Sequence, residues 1–444
     1  MTADCLLKIK LMYNHNSVAM KRIPIIFLLL LLSGVLSLRG GDRVPRVLNG
    51  IDVLREQNFE PLAGKRIGLI TNHTGLAADG TTSIDLLYGS KLCKLIFMLS
   101  PEHGIRGTMD SKVNSSVDEA TSLPVYSLYG ESKRPAGELL QGIDALVFDV
   151  QDIGARFYTY ITTMGYCMEA AAKANIPFYV LDRPNPIGGM RVEGPMLDAD
   201  KTSFTGYMPL PIRHGMTVGE LARYFNRENK IGVELHVVEM KGWSRSDYFW
   251  NTGQLWINPS PNMRTMMAAI LYPGVCLLES ANISVGRGTQ TPFEILGAPW
   301  IEPRLFAAEV EEAGIPGVKV VPVFFTPNED RYQGVRCGGV SFTITDTEKL
   351  NSVSLGLSLV AILHRLYPDK FQIDKVLELL GNTEALKRLK AGQSPEQVLQ
   401  ADSARMQEFL AKRQKALIYD VTPDERKRGN DGFGRSKKKE KRRD

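Results

Sequence analysis

Between Lys65 and Leu181, short apolar runs alternate with segments of helical period, and this alternation restricts the fold more than any other feature of the chain. Arg66 to Thr71, Leu95 to Leu99, Ala145 to Asp149 and Phe178 to Leu181 each read as a buried strand, being short and rich in Ile, Leu, Val or Phe. Ile161 to Asn175 is the clearest intervening helix. Ile161, Met164, Cys167, Met168 and Ala171 recur on one face, and Pro177 stops the segment. Strand, helix, strand, helix over such a span predicts a parallel sheet with right-handed crossovers. A further helix is expected from Thr217, where Glu220 three residues on completes a capping box. After Tyr272-Pro273-Gly274 the texture changes. Helices over Arg304 to Ala313, Ser352 to Tyr367, Asp374 to Leu380 and Ser403 to Ala416 surround strands over Val318 to Phe325 and Gly338 to Thr345. The expected organisation is α/β: a parallel-sheet domain over 38–271 followed by a smaller α+β domain over 272–423.

Charge is unevenly distributed. The net charge is +5, yet from Asp424 onward ten Lys/Arg stand against five Asp/Glu, and residues 1–37 carry four Lys/Arg against one Asp. The two ends therefore account for the basic pI and the body is slightly acidic, which excludes a nucleic-acid-binding body as the default reading. Lys21 and Arg22 precede the apolar run Ile23 to Leu32 and the small-residue stretch Ser33 to Ser37, the layout of a secretory signal peptide over 1–37 with Met20 as a candidate start. The run is shorter than a spanning helix needs, so no stable membrane insertion is expected after cleavage. The expected location is periplasmic or extracellular. The segment 424–444 has no apolar period and is expected to be disordered. Five cysteines, far apart and without a C-x-x-C pair, describe neither a disulfide scaffold nor a zinc ribbon, and Cys93 and Cys167 are expected as buried thiols.

Ligands of an open parallel sheet sit beyond the carboxyl ends of its strands, and four polar clusters follow the four strands here. They are Asn72-His73-Thr74-Gly75, then Pro101-Glu102-His103-Gly104, then Asp149 continuing through Gln151-Asp152-Ile153-Gly154-Ala155-Arg156-Phe157-Tyr158-Thr159-Tyr160, and Asp182-Arg183-Pro184-Asn185-Pro186. No G-x-G-x-x-G follows the first strand, and Walker A, H-E-x-x-H and G-x-S-x-G motifs are absent. Carboxylates with Arg, Asn, His and Tyr remain, suited to glycoside hydrolysis or to a metal site. Glu102, on a turn at a strand end, is the first candidate for a general acid, against the alternative of a loop-holding ion pair with Arg106. Asp149 and Asp152 are candidates for the same crevice, or Asp149 for a cap. Arg156, Tyr158 and Tyr160 have the types that bind a carboxylate-bearing sugar, against the alternative that the tyrosines are core, and Asn185 has the type that meets an acetamido group, against the alternative that Asp182 to Asn185 is a shaped loop. Farther on, Ser260-Pro261-Asn262-Met263, Arg213-His214-Gly215-Met216 and Glu279 to Thr289 are polar stretches in apolar sequence. In the last of these, Glu279 is either a second carboxylate or a partner of Arg287, and Gly286 and Gly288 allow close backbone approach.

The strings Gly68 to Gly75, Pro101 to Gly104, Asp149 to Gly154 with Arg156 to Tyr160, Asp182 to Pro186 and Glu279 to Thr289 together resemble the exo-β-N-acetylmuramidases (NamZ-like), formerly a domain of unknown function. The resemblance runs in order from about Val47 to about Thr422. It implies a Rossmann-like domain, a smaller C-terminal domain and an active-site cleft between them. It also implies release of N-acetylmuramic acid from the non-reducing ends of MurNAc-GlcNAc-type peptidoglycan glycans, with no cofactor and no metal. Carried over by motif, Glu102 is the catalytic carboxylate, with Asp149, Asp152 and Tyr158 in the same catalytic pocket. Asn72, His73, His103, Arg156, Tyr160, Arg183, Asn185, Glu279, Asn282 and Arg287 would bind substrate, Arg156 or Arg287 taking the lactyl carboxylate. Two other readings compete. One is a metal-dependent hydrolase using His103, Asp149, Asp152 and His214; the other is a non-catalytic wall-binding module in which Glu102 is structural.

Overall fold

The structure, a computed structural model, describes residues 47–106, 115–130 and 132–420; the expected signal segment and basic tail lie outside them. The strands, in chain order, begin with β1 (Arg66–Thr71), β2 (Lys94–Ser100), β3 (Ser116–Val117), β4 (Pro124–Ser127), β5 (Ala145–Asp149) and β6 (Phe178–Leu181). There follow β7 (Glu193–Met196), β8 (Pro211–Arg213), β9 (Leu235–Val238), β10 (Ile295–Ala298), β11 (Val318–Phe325) and β12 (Cys337–Ile344). Seven of them form one sheet in the order β3-β4-β2-β1-β5-β6-β9, every pairing parallel except β3 with β4. β5 and β6 are buried along their whole length, as expected of central parallel strands covered on both faces. All four strands expected in this region, and both in the C-terminal part, are present within a residue or two.

The helices follow their sequence signals closely. Tyr160–Ala174 ends at Asn175 in the left-handed conformation, two residues before Pro177. Val218–Glu228 starts with both bonds of the Thr217/Glu220 capping box. Glu220 also does something the pattern does not reveal: fully buried, it forms an ion pair with Arg245 at 2.6 Å and accepts the N–H of Ile418.

The C-terminal part holds a three-stranded antiparallel sheet, β10-β12-β11, with helices Pro303–Glu312, Ser352–Leu366, Thr383–Lys390, Pro395–Ala401 and Ser403–Gln414. Tyr272-Pro273-Gly274 does not interrupt the chain. It lies inside helix Met266–Val275, so the expected division after residue 271 falls within a helix. The reason is packing: a Cβ on Gly274 would lie 1.8 Å from the Ser352 carbonyl oxygen, and one on Gly356 2.4 Å from that of Gly274. Two glycines let the helix meet Ser352–Leu366 backbone to backbone, and burial in that contact outweighs the cost of a proline in the helix. One apolar core accordingly runs from Phe148 and Ile161 through Leu271 and Leu277 to Val360 and Leu380. Cys93, Cys167, Cys276 and Cys337 are free and buried, as the cysteine pattern predicts for the first two.

Candidate active site

β2 ends at Ser100 and the chain turns sharply through Pro101-Glu102-His103-Gly104. His103 and Gly104 both have left-handed backbones, φ 70° and 76°, and for His103 that conformation is costly. The turn delivers the Glu102 carboxylate to the start of helix Tyr160–Ala174. Thr159 occupies the N-cap position there without capping the helix. Its hydroxyl instead donates to Glu102 Oε2 at 2.5 Å. A residue type favoured for caps has been diverted to hold a carboxylate, and no acidic side chain occupies the first turn of that helix. Arg106, the alternative partner for Glu102, lies 3.6 Å from Asp118 instead.

Glu102 and His103 open onto a cavity of about 310 Å³. Phe157, Tyr158 and Thr159 line it from the loop after β5, Ser260 and Asn262 from the polar loop before residue 266, and Tyr272, Cys276, Glu279, Arg287 and Phe293 from the C-terminal part. Its aromatic wall is a relay of edge contacts, Tyr158 against Tyr272 at 5.9 Å and Tyr272 against Phe293 at 4.7 Å. Burial pushes the Tyr158 phenol well above its ordinary range, so it keeps its proton. Glu279 is both of the things its sequence context allows: it faces the cavity, and its Oε1 lies 3.0 Å from Arg287 Nη1. The Cys276 thiol donates to its other oxygen at 3.1 Å. Arg287 also pairs with Asp330. Two carboxylates, a phenol, a guanidinium and an aromatic wall thus surround a space of the size that takes a small ligand.

A family model described as exo-β-N-acetylmuramidase NamZ, N-terminal, matches residues 67–267, and one described as exo-β-N-acetylmuramidase NamZ, C-terminal, matches residues 270–419. The chain belongs to the exo-β-N-acetylmuramidase NamZ family. It is 44% identical over 380 residues to the peptidoglycan β-N-acetylmuramidase NamZ of Bacillus subtilis (strain 168), covering 84% of this chain and 92% of that protein. Two crystal structures of DUF1343 family proteins from Bacteroides fragilis NCTC 9343 share its fold. One has a TM-score of 0.78 at 36% identity over 85% of this chain and 100% of its own; the other has 0.70 at 30% over 85% and 99%.

The structure brings Glu102, His103, Tyr158, Glu279 and Arg287 together at the cavity and keeps the other expected residues off it. Asp149 is fully buried and held by Arg183 at 2.6 and 3.0 Å in a two-pronged ion pair between the ends of β5 and β6. A carboxylate closed off in this way has no access to substrate, and Arg183 is equally engaged. Asp152 accepts the Gly154 N–H and lies 3.5 Å from Nε2 of the fully buried His214, whose Nδ1 accepts from the Met216 N–H. Arg156, expected to hold a lactyl carboxylate, is 1% exposed. Nη1 donates to the carbonyls of Pro195 and Leu210, and Nη2 to those of Leu379 and Leu380 at the end of helix Leu377–Leu380. It satisfies orphan carbonyls at the negative end of a helix. Burial lowers its pKa to about 9, still above neutrality.

The remaining expected residues build the walls. Tyr160 donates to the Pro259 carbonyl at 2.6 Å, and His73 Nε2 meets that of Asn258 at 2.7 Å; both fasten the loop that carries Ser260 and Asn262. Burial lowers the His73 pKa, so it is neutral at neutral pH. Asn72 folds its own loop by accepting from Thr74 N and Oγ1. Asn185 donates to the Met216 carbonyl, and Asn282 to that of Lys370. His103, Asp149, Asp152 and His214 therefore do not converge. Among the described residues no group of three or more His, Cys, Asp or Glu is placed to hold a metal ion. Sequence reasoning missed Thr159, Tyr272 and Cys276. Thr159 carried a signal, a hydroxyl at the start of a clear helix; Tyr272 and Cys276 look like ordinary core residues until the helix Met266–Val275 and the turn that follows it place them beside Glu279.

Proposed function

We propose that this glycosidase-family enzyme is an exported exo-β-N-acetylmuramidase. In this reading it removes N-acetylmuramic acid from the non-reducing ends of peptidoglycan glycans, with Glu102 as the catalytic carboxylate. Family membership supports the reaction and the polymer; the segment Lys21 to Ser37 supports export. The observation that carries the role of Glu102 is its position at the cavity mouth, with one carboxylate oxygen fixed by Thr159 and the side chain half-buried.

Glycoside hydrolysis needs a group that protonates the leaving oxygen and a group that stabilises or attacks the positively charged anomeric centre. Glu102 supplies a carboxylate of fixed orientation. Tyr158, protonated and against the same space, supplies a hydroxyl donor beside it. Glu279 is the second carboxylate, tethered by Arg287 and the Cys276 thiol. With Arg156 buried away from the cavity, Arg287 is the guanidinium among the described lining residues, and it takes the lactyl carboxylate that distinguishes muramic acid from glucosamine in exchange for its exposed partner Asp330.

The test is hydrolysis of a chromogenic β-N-acetylmuramide beside the matched β-N-acetylglucosaminide, with and without a chelator. The wild type turns over the muramide, does not turn over the glucosaminide and is indifferent to chelation. Glu102→Gln folds normally and loses activity. Arg287→Lys raises KM for the muramide much more than it lowers kcat. Undiminished turnover by Glu102→Gln would sink the assignment.

A further inference from the structure

A second cavity, of about 550 Å³, lies at the carboxyl ends of β6 and β9, on the same rim of the sheet as the candidate active site but over different strands. Its floor is aromatic. Tyr248 and Trp250 stack with ring centroids 4.8 Å apart and planes 9° from parallel. Tyr248 is buried and anchored, its hydroxyl donating to the Thr347 carbonyl at 3.2 Å and its N–H to Asn251 Oδ1 at 3.0 Å. Trp250 lies on top, 43% exposed, beside Met190 at 54%. An indole held rigidly from beneath and left open to solvent is an unusual use of the largest apolar side chain, because isolated exposure leaves its transfer energy unrealised.

The polar rim indicates what fits. Arg191, Asn251 and Glu348 surround the platform, offering donors and acceptors, although Arg191 Nη1 already donates to the Leu350 carbonyl at 2.9 Å and lies 3.6 Å from Glu193. The deeper arginines contribute little net charge, since Arg213 is paired with Glu193 at 2.8 Å and Arg245 with Glu220 at 2.6 Å. A flat apolar face ringed by hydrogen-bonding groups of both signs matches a pyranose, which presents C–H bonds on its face and hydroxyls around its edge. It does not match a polyanion, which would need unpaired cations, or a protein surface, which would need a wider apolar area.

We propose that the Tyr248–Trp250 platform is a second glycan-binding site, which holds an internal stretch of a polysaccharide strand while the strand's end is processed elsewhere. The proposal rests on the glycosidase reading for its choice of ligand. An enzyme that acts only at chain ends gains from a second grip on the same polymer, because tethering raises the local concentration of ends.

Trp250→Ala and Trp250→Phe are compared with the wild type on the chromogenic muramide and on long peptide-free glycan strands. Trp250→Ala leaves the small substrate within about twofold of wild type and raises KM for strands about fivefold or more at unchanged kcat, and Trp250→Phe restores most of it. Strand KM within twofold of wild type in Trp250→Ala overturns the proposal, as does an equal loss on both substrates, which would mark Trp250 as structural. A wild type inactive on the muramide would instead defeat the glycosidase reading. The platform is then judged by intrinsic tryptophan fluorescence titrated with the same strands, where a saturable change lost in Trp250→Ala supports it and no change in the wild type refutes it.

Discussion

Two stretches of the sheet's carboxyl rim are alike in composition and opposite in use. At the ends of β1, β5 and β6, Thr71 donates to the Asp149 carbonyl, Asp149 is gripped by Arg183, and Arg183 reaches the Leu76 carbonyl. Asp152 lies against His214 close by. Every one of these groups has a protein partner and none lines the candidate cavity beside Glu102. One strand over, at the end of β2, Glu102 is tethered among the described residues by Thr159 and opens on the cavity. The strand order reverses at β1, with β2 on one side and β5 on the other, which is where a crevice for ligands is usual in such sheets. Here Asp149 and Arg183 are committed to each other, and a smaller cavity of about 180 Å³, lined by Thr74, Gln151 and Arg183, lies beside the pair. What separates the two stretches is therefore access: Asp149 and Arg183 are buried and closed on each other, whereas Glu102 is half-buried and lines the cavity, as do the paired Glu279 and Arg287.

The contrast can be broken by substitution on either side. The largest effect falls at the open end: Glu102→Gln lowers kcat by about 10³-fold with an unchanged melting temperature. At the closed end the loss is one of stability. Asp149→Asn leaves the Arg183 guanidinium buried and unpaired and costs about 3 kcal/mol or more, read by denaturant unfolding, while the folded fraction keeps its KM. An intact melting curve with lost activity would instead place Asp149 in the chemistry. Arg156→Met takes the guanidinium from the Pro195, Leu379 and Leu380 carbonyls, while that of Leu210 keeps the Leu197 N–H, and costs about 2–3 kcal/mol, with muramide-to-glucosaminide selectivity unaltered; a collapse of that selectivity would restore a lactyl-binding role.

Thr159→Val tests the tether itself. Removing one hydrogen bond to a carboxylate lowers kcat about 10- to 100-fold without raising KM, and Thr159→Ser recovers most of it. A merely structural threonine would show neither the split nor the rescue. The smallest effect concerns pH. The half-buried His73 has a pKa below its value in the unfolded chain, so the unfolded state binds the extra proton. Stability is full above the ordinary histidine range near 6.5 and declines as pH falls through and below it, levelling once the folded form is also protonated. His73→Gln flattens this acid limb of the stability profile, and an unchanged limb would assign it to other groups.

The sequence by itself determined the elements, because strand and helix formation here depend on local periodicity, caps and breakers: β1 and β5 at their exact bounds, Tyr160–Ala174 stopped before Pro177, and Thr217 with Glu220 opening the next helix. It also determined that polar chemistry collects at the strand ends, and it singled out Glu102. Only the tertiary structure decided which of those polar residues face the cavity. Asp149 and Arg183 stand 34 positions apart, Arg156 reaches carbonyls more than 220 positions away, and Glu279 comes to the same cavity as Glu102 from the C-terminal part. Tyr272 and Cys276 enter the site because two glycines, 82 positions apart, let their helix lie against another through a proline that local rules read as a break. Hydrogen-bond satisfaction and close packing are properties of pairs distant in sequence, and no pattern confined to a single segment encodes them.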